Sequence, residues 1–274
     1  MQRIITLTTD FGYKDYYVGA LKGKLYSNID DCNIVDISHG IKNYNIEEAA
    51  FVLRSAFEHY PLGTIHIISV SAFISEDTPV ICMYFRGHYF IATDNGVLGL
   101  IIGEDNFSEA VFIKSKEEIQ VNDAFVFCAA RIFDGQVLTS FGQSTDSIHR
   151  LSSWSDSLTV EKNRIIGKII HEDTYGNLIS NIPLDLFENE LKGRKYIIRV
   201  KDRSISKINK YFAEVKPTDN FMRHERAGDF VALFNDLNLL TLAIVFSKPN
   251  EPGGSPRTLI NLRVSDTVSI EFED

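Results

Sequence analysis

Asp10 and Asp15 are the first residues whose types and spacing suggest chemistry. Asp10 follows the apolar run Ile4-Ile5-Thr6-Leu7-Thr8, and Asp15 comes soon after it. A carboxylate at the end of a buried strand can hold two ribose hydroxyls, because its ionised oxygens offer several lone pairs and form the stronger, charge-assisted bonds. The same carboxylate can instead cap the following helix or close an Asx turn, and spacing alone favours that use. Other candidates divide in the same way. Asp94-Asn95-Gly96 is a turn signal first and a ligand loop second. Asp173-Thr174-Tyr175-Gly176-Asn177 can present a carboxylate and an amide together, although an Asx-Gly turn between strands is the commoner use of such a run. Tyr44, just before a helical stretch, is either a packing staple or a stacking platform. His66 lies inside a β-branched run and reads as a core residue, whereas His39, in Ile37-Ser38-His39-Gly40, sits at a loop and is a candidate acid or base.

Most other chemical signatures are missing. Gly12, Gly19 and Gly23 do not fit the dinucleotide-binding spacing, and no phosphate-binding loop occurs. No His-x-x-x-His or Cys-x-x-Cys pattern is present, so neither a metal nor a cofactor is expected.

The elements that must position these groups follow from hydrophobic periodicity. Buried-strand runs occupy residues 4–8, 34–37, 64–68, 80–85 and 89–92. Helical patterns cover about residues 16–27, 46–59 and 122–134. The alternation of strand and helix predicts an α/β fold with a mainly parallel sheet in the N-terminal domain, residues 1–150. Residues 151–163, rich in Ser and Asp, read as a linker. Short β-type runs at 164–171, 195–200, 230–234, 239–246 and 267–272 predict a smaller, mostly antiparallel C-terminal β domain over residues 164–274. Arg86-Gly87-His88 reads as a hairpin turn.

Composition narrows the partners. The 274-residue chain is 44% hydrophobic and carries a formal net charge of −9. That charge argues against nucleic acid and anionic membranes, both of which reward a basic face. No apolar run approaches the roughly 20 residues of a membrane span. Cys32, Cys82 and Cys128 have no metal-type spacing and read as reduced thiols. A cytoplasmic protein with a small-molecule ligand is the expectation.

Taken together, the motifs go further. Thr8-Thr9-Asp10-Phe11-Gly12, Asp15-Tyr16-Tyr17-Val18-Gly19 and Ile34-Val35-Asp36-Ile37-Ser38-His39 open an ordered series. It continues through Pro61-Leu62-Gly63-Thr64-Ile65-His66, Asp94-Asn95-Gly96-Val97-Leu98, residues 173–182, Val231-Ala232-Leu233-Phe234-Asn235 and Ser265-Asp266-Thr267-Val268. Over nearly its full length the chain resembles the S-adenosyl-L-methionine (SAM) hydroxide adenosyltransferase family, the SAM hydrolases related to bacterial fluorinase and chlorinase. The resemblance implies a homotrimer with its ligand at a subunit interface. It places Asp10 on the ribose hydroxyls and Tyr44 against the sugar. Asp15 and Asp173 fall at the methionine ammonium, and Asn177 at the adenine edge.

The resemblance also marks departures. The family's hydrolases use an Asp, an Arg and a His, and Ser71, Thr78 and Gln120 occupy those positions here. None of the three titrates near neutrality, so none serves alone as a general base. Near the family's methionine-carboxylate subsite the chain carries Asn235-Asp236, and an anionic Asp236 would repel a carboxylate. The implied function is binding of SAM or an adenosine-like nucleoside with hydrolysis lost or altered. The alternatives are an active SAM hydrolase giving adenosine and L-methionine, and a ligand-free oligomeric scaffold. His39, Arg86 and His88 are the groups elsewhere in the sequence that could replace the missing set.

Overall fold

A computed structural model describes residues 3–113, 120–152, 154–210 and 228–273. The chain divides into two compact units, Met1–Ser153 and Trp154–Asp274.

The first unit is built on a seven-stranded sheet ordered β2-β1-β3-β5-β4-β6-β7. Its strands are β1 (Arg3–Thr9), β2 (Cys32–Ser38), β3 (Ile65–Ser69), β4 (Val80–Phe85), β5 (His88–Thr93), β6 (Glu109–Ile113) and β7 (Gln143–Ser144). β2, β1, β3 and β5 run parallel, while β4, β6 and β7 continue the sheet antiparallel. β1 and β3 are buried on both faces, which is why they read as continuous apolar runs. Helices α1 (Tyr17–Asn28) and α4 (Val121–Phe133) share a core with Leu7, Ile67 and Ile91. The other helices of this unit are α2 (Ile46–Arg54) and α3 (Val97–Ile102).

Two local expectations change. The helix expected over 46–59 ends at Arg54, and a separate 3₁₀ turn follows at Phe57–His59. The Phe51 carbonyl accepts both the Ser55 N–H at 3.1 Å and the Ser55 hydroxyl at 2.6 Å, and the next N–H, that of Ala56, tightens to an i→i−3 bond with Leu53 at 2.9 Å. α3 is an element that periodicity misses, because all six of its residues, Val-Leu-Gly-Leu-Ile-Ile, are buried and show no polar face. Gly99 permits that burial: a Cβ there would sit 2.7 Å from the His149 carbonyl oxygen. Arg86 and Gly87 form a two-residue turn, both at positive φ (47° and 82°), between β4 and β5.

The second unit carries a nine-stranded sheet ordered β12-β11-β16-β9-β10-β15-β14-β13, with β8 beside β9. In chain order the strands are β8 (Thr159–Glu161), β9 (Arg164–Glu172), β10 (Leu178–Pro183), β11 (Lys195–Val200), β12 (Arg203–Ile205), β13 (Ile208–Asn209), β14 (Phe230–Phe234), β15 (Leu239–Ile244) and β16 (Thr267–Glu273). All its pairings are antiparallel except that of β13 with β14. Helix α5 (Leu184–Leu191) packs Phe187 onto a core that includes Ile198, Leu240 and Phe272. Part of the stretch read as a linker belongs to this sheet, since β8 lies within it.

Candidate functional site

The carboxyl ends of β1, β3 and β5 converge on Asp10, the place where parallel sheets commonly bind ligands. Asp10 follows β1 directly, and its Oδ2 accepts hydrogen bonds from the backbone N–H of Tyr44 at 2.9 Å and of Ser71 at 3.3 Å. Both donors sit in left-handed backbone, with φ of 64° at Tyr44 and 48° at Ser71. Such conformations cost non-glycine residues roughly 1 kcal/mol or more, and here the carboxylate offsets that cost. Oδ2 carries both of these bonds, and Oδ1 has no hydrogen-bond partner among the described residues.

The surrounding loops are tied down separately. Asn95 donates from Nδ2 to the carbonyls of Val70 (3.1 Å) and Ser71 (3.2 Å), binding the end of β5 to the loop after β3. The Asn95 Oδ1 accepts from Val97 N–H at 3.2 Å and starts α3. Asn95 is therefore more than a turn residue. Asp94 accepts the His149 N–H at 2.9 Å, and burial pushes its carboxyl up from the usual range despite that bond.

Behind Asp10 lies a chain of polar groups, buried at Thr9 and His39 and partly exposed at Asp36 and Lys22. Thr9 Oγ1 is 2.8 Å from His39 Nδ1, and His39 Nε2 is 3.0 Å from Asp36 Oδ1. Lys22 from α1 holds Asp36 Oδ2 at 2.7 Å. Burial raises the Asp36 carboxyl, but its bonds to Lys22 and His39 prevail and hold it below the usual carboxylate range. His39 is wholly buried, and the Tyr13 ring meets it edge-on at 5.1 Å.

The sequence-derived positions fall as follows. Asp10, Tyr44 and Ser71 come together through the Asp10 carboxylate. The Tyr44 ring is not packed beneath α2; it stays 66% exposed and lies near-parallel to Phe73, itself 64% exposed, at 6.2 Å between centroids. Asp15 is exposed ahead of α1, with no hydrogen bond to Asp10. Thr78 is fixed inside its own loop. Its hydroxyl donates to the Phe73 carbonyl at 2.8 Å and therefore accepts from Ser75 Oγ at 2.7 Å, which leaves it no donor for a ligand. Gln120 is the exposed N-cap of α4, where its carbonyl accepts the N–H groups of Asp123 and Ala124 at 2.9 and 3.1 Å. Arg86 and His88 lie at the opposite end of the sheet. Arg86 pairs with Glu58 and Asp105, and His88 Nδ1 is 3.2 Å from His66 Nε2.

In the second unit, Asp173 and Asn177 form one closed turn between β9 and β10. Asp173 Oδ1 accepts the N–H groups of Tyr175 and Asn177, both at 2.9 Å, and Oδ2 accepts Asn177 Nδ2 at 2.8 Å. Gly176 supplies the positive φ of 75° that the turn needs. Asn235 Oδ1 accepts from Leu237 and Leu239 N–H, each at 3.0 Å, in the β14–β15 turn that leaves Asp236 exposed. No group of three metal-ligating side chains occurs among the described residues. No helix among them is long and apolar enough to cross a membrane.

Fold and site together define a protein of two units, α/β and β, with a backbone-anchored carboxylate at the carboxyl ends of parallel strands. The comparisons with known proteins place it more closely. Residues 5–142 match the N-terminal domain of the SAM hydroxide adenosyltransferases, and residues 167–269 match their C-terminal domain. The chain belongs to that family. It is 27% identical to an (R)-S-adenosyl-L-methionine hydrolase of Methanocaldococcus jannaschii, the match covering 98% of this chain and 96% of that protein. It is 20% identical to a fluorinase of Actinopolyspora mzabensis, over 88% and 90% of the two chains. Among solved structures, an uncharacterized conserved protein from Thermotoga maritima superposes with a TM-score of 0.81 at 25% identity, covering 97% of this chain and 99% of that one. A conserved hypothetical protein from Thermus thermophilus gives a TM-score of 0.72 at 20% identity, over 99% and 100% of the chains, and shares the fold.

Proposed function

We propose that this chain binds SAM or an adenosine-like nucleoside through Asp10, and that the family's hydrolysis is lost or altered in it. The observation that carries the reading is the anchored carboxylate: one oxygen fixed by two backbone N–H groups, the other left for ribose hydroxyls. Tyr44 packs against the sugar, Asn177 reads the adenine edge, and Asp15 and Asp173 meet the ammonium of a methionine moiety. Asn235 and Asp236 line the carboxylate end. The ligand sits at a subunit interface of a cytoplasmic homotrimer. The exposed rings of Tyr13, Tyr16, Tyr44 and Phe73 support such an interface, because large aromatic groups left in water favour a partner surface.

The loss of hydrolysis rests on Ser71, Thr78 and Gln120. Water needs a base to become a nucleophile near neutral pH, and these positions offer two hydroxyls and an amide. The Thr78 hydroxyl is committed to its loop, the Gln120 side chain is an amide with no basic nitrogen, and the His39 imidazole is wholly buried behind Thr9.

One observation favours a second reading, an active hydrolase releasing adenosine and L-methionine. It is the near-full-length match to the archaeal SAM hydrolase. Thermal-shift measurements with SAM, adenosine and methionine test the ligand. A ligand at about 100 times its dissociation constant stabilises the folded state by roughly 2.7 kcal/mol. The proposal expects shifts with SAM and adenosine, and no shift with any nucleoside would leave only the ligand-free scaffold.

A further inference from the structure

The chain Lys22–Asp36–His39–Thr9 touches no ligand position, yet it ends on the two residues that flank Asp10. Thr9 Oγ1 accepts the Phe11 N–H at 3.3 Å as well as facing His39 Nδ1. The His39 carbonyl accepts the Gly12 N–H at 2.8 Å. Asp10 is thus flanked on one side by Thr9, whose hydroxyl faces the His39 imidazole, and on the other by Phe11, held to that hydroxyl, and Gly12, held to the His39 backbone carbonyl.

The tautomer follows from donor and acceptor counting. The Asp36 carboxylate, which can only accept, faces Nε2 at 3.0 Å and places the ring hydrogen there; in the neutral imidazole Nδ1 is then the acceptor for the Thr9 hydroxyl proton. Nε2 and Asp36 Oδ1 are both buried and, among the described residues, have no hydrogen-bond partner; they face each other at 3.0 Å, an alignment that falls short of a strict hydrogen bond. Lys22 neutralises the far oxygen of Asp36. Three elements, α1, β2 and the end of β1, are joined in this way behind one carboxylate.

We infer that Thr9, His39 and Asp36 are positioning residues that fix the direction of the Asp10 carboxylate toward a ribose diol. The inference rests on the nucleoside reading above and adds the groups that set its ribose selectivity. Without the Thr9–His39 contact, the Phe11 N–H would lose the oriented hydroxyl it is held to, and the Asp10 carboxylate would lose that support. With its neighbours locked, Oδ1 keeps one aim, and its hydrogen bonds to a ligand lose less freedom on forming.

The test compares the affinities of adenosine and 2′,3′-dideoxyadenosine by isothermal titration calorimetry. The ratio of the two dissociation constants reports the ribose hydroxyls alone, and a change that merely loosens the fold would weaken both ligands alike. Wild-type protein is expected to prefer adenosine by at least about tenfold, the size of one charge-assisted hydrogen bond. Thr9→Val, which keeps shape and removes the hydroxyl, is expected to bring the ratio close to one, and Thr9→Ser to restore it. Asp36→Asn, at a half-buried site, is expected to lower the ratio in a protein that still folds should Thr9→Val fail to. A folded Thr9→Val or Asp36→Asn protein with the wild-type ratio overturns the inference alone. Wild-type protein that binds neither nucleoside overturns the nucleoside reading and this inference with it.

Discussion

Asp10→Ala removes the acceptor shared by two backbone N–H groups, those of Tyr44 and Ser71. Hydrogen bonds to a charged group contribute about 1.5–3 kcal/mol each when buried. Asp10 is half-buried, so water replaces part of that contribution, and the left-handed backbone at Tyr44 and Ser71 relaxes once untethered. The net loss of stability is expected at about 1–2 kcal/mol, a fall in Tm of a few degrees for a chain of this size. The loss in binding is larger. Two ribose hydroxyls donating to the carboxylate are together worth about 3 kcal/mol or more, so affinity for adenosine falls roughly 100-fold or further. Asp10→Asn keeps an oxygen for the backbone donors and loses only the charge, so it should retain most of the stability while losing much of the affinity. Calorimetric titration with adenosine, paired with urea unfolding, reads both quantities. An Asp10→Ala protein that binds adenosine as tightly as the wild type refutes the assignment of the site.

The other predictions concern supports of the fold and the site. Asn95→Ala cuts the tie between β5 and the Ser71 loop, so nucleoside affinity should fall by about tenfold with a stability loss near 1 kcal/mol; unchanged affinity by titration would show that the loop is held without it. Burial first, and then the neighbouring His88, push the His66 imidazole down to about 3 from 6.5. Between those values the unfolded chain binds a proton that the folded chain refuses, so stability is complete above pH 6.5 and falls with acidification by up to ~1.4 kcal/mol per pH unit. His66→Gln should flatten the slope of unfolding free energy between pH 6 and 4 by about one proton, and an unaltered slope contradicts the assignment. Gly254→Ala would place a Cβ 2.1 Å from the Lys248 carbonyl oxygen, so thermal melting should show a loss of about 1–3 kcal/mol; a wild-type Tm would mean that the loop readily rearranges.

The parts of this fold that sequence reveals are those where pattern and environment agree. β1 and β3 are buried on both faces and rich in β-branched residues, so they read plainly as strands. α3 fails the same test: full burial erases the polar face by which a helix is recognised. α2 ends early where the ladder tightens, the Ala56 N–H bonding Leu53 in place of Val52, a change that composition does not announce. At the site, Asp10 stands out because a carboxylate ends a buried strand. Its anchors do not stand out, since left-handed backbone at Tyr44 and Ser71 is unmarked in residue types that usually avoid it. The clasp behind it is legible only as letters: Asp36 and His39 share one motif, but Thr9 and Lys22 join them solely through the folding of β1 and α1. Asp173 and Asn177 show the opposite case, because their Asx-Gly spacing already states the turn they make.

The central claim is that the chain holds SAM or its nucleoside portion without carrying out the family's hydrolysis. Incubating purified protein with SAM, with binding followed by titration and products resolved by chromatography, tests it most directly. The account predicts saturable binding and SAM recovered intact, with adenosine and methionine no higher than in a protein-free control. Stoichiometric release of adenosine and methionine that grows with protein concentration, and is abolished by Asp10→Ala, would contradict it and establish an active hydrolase.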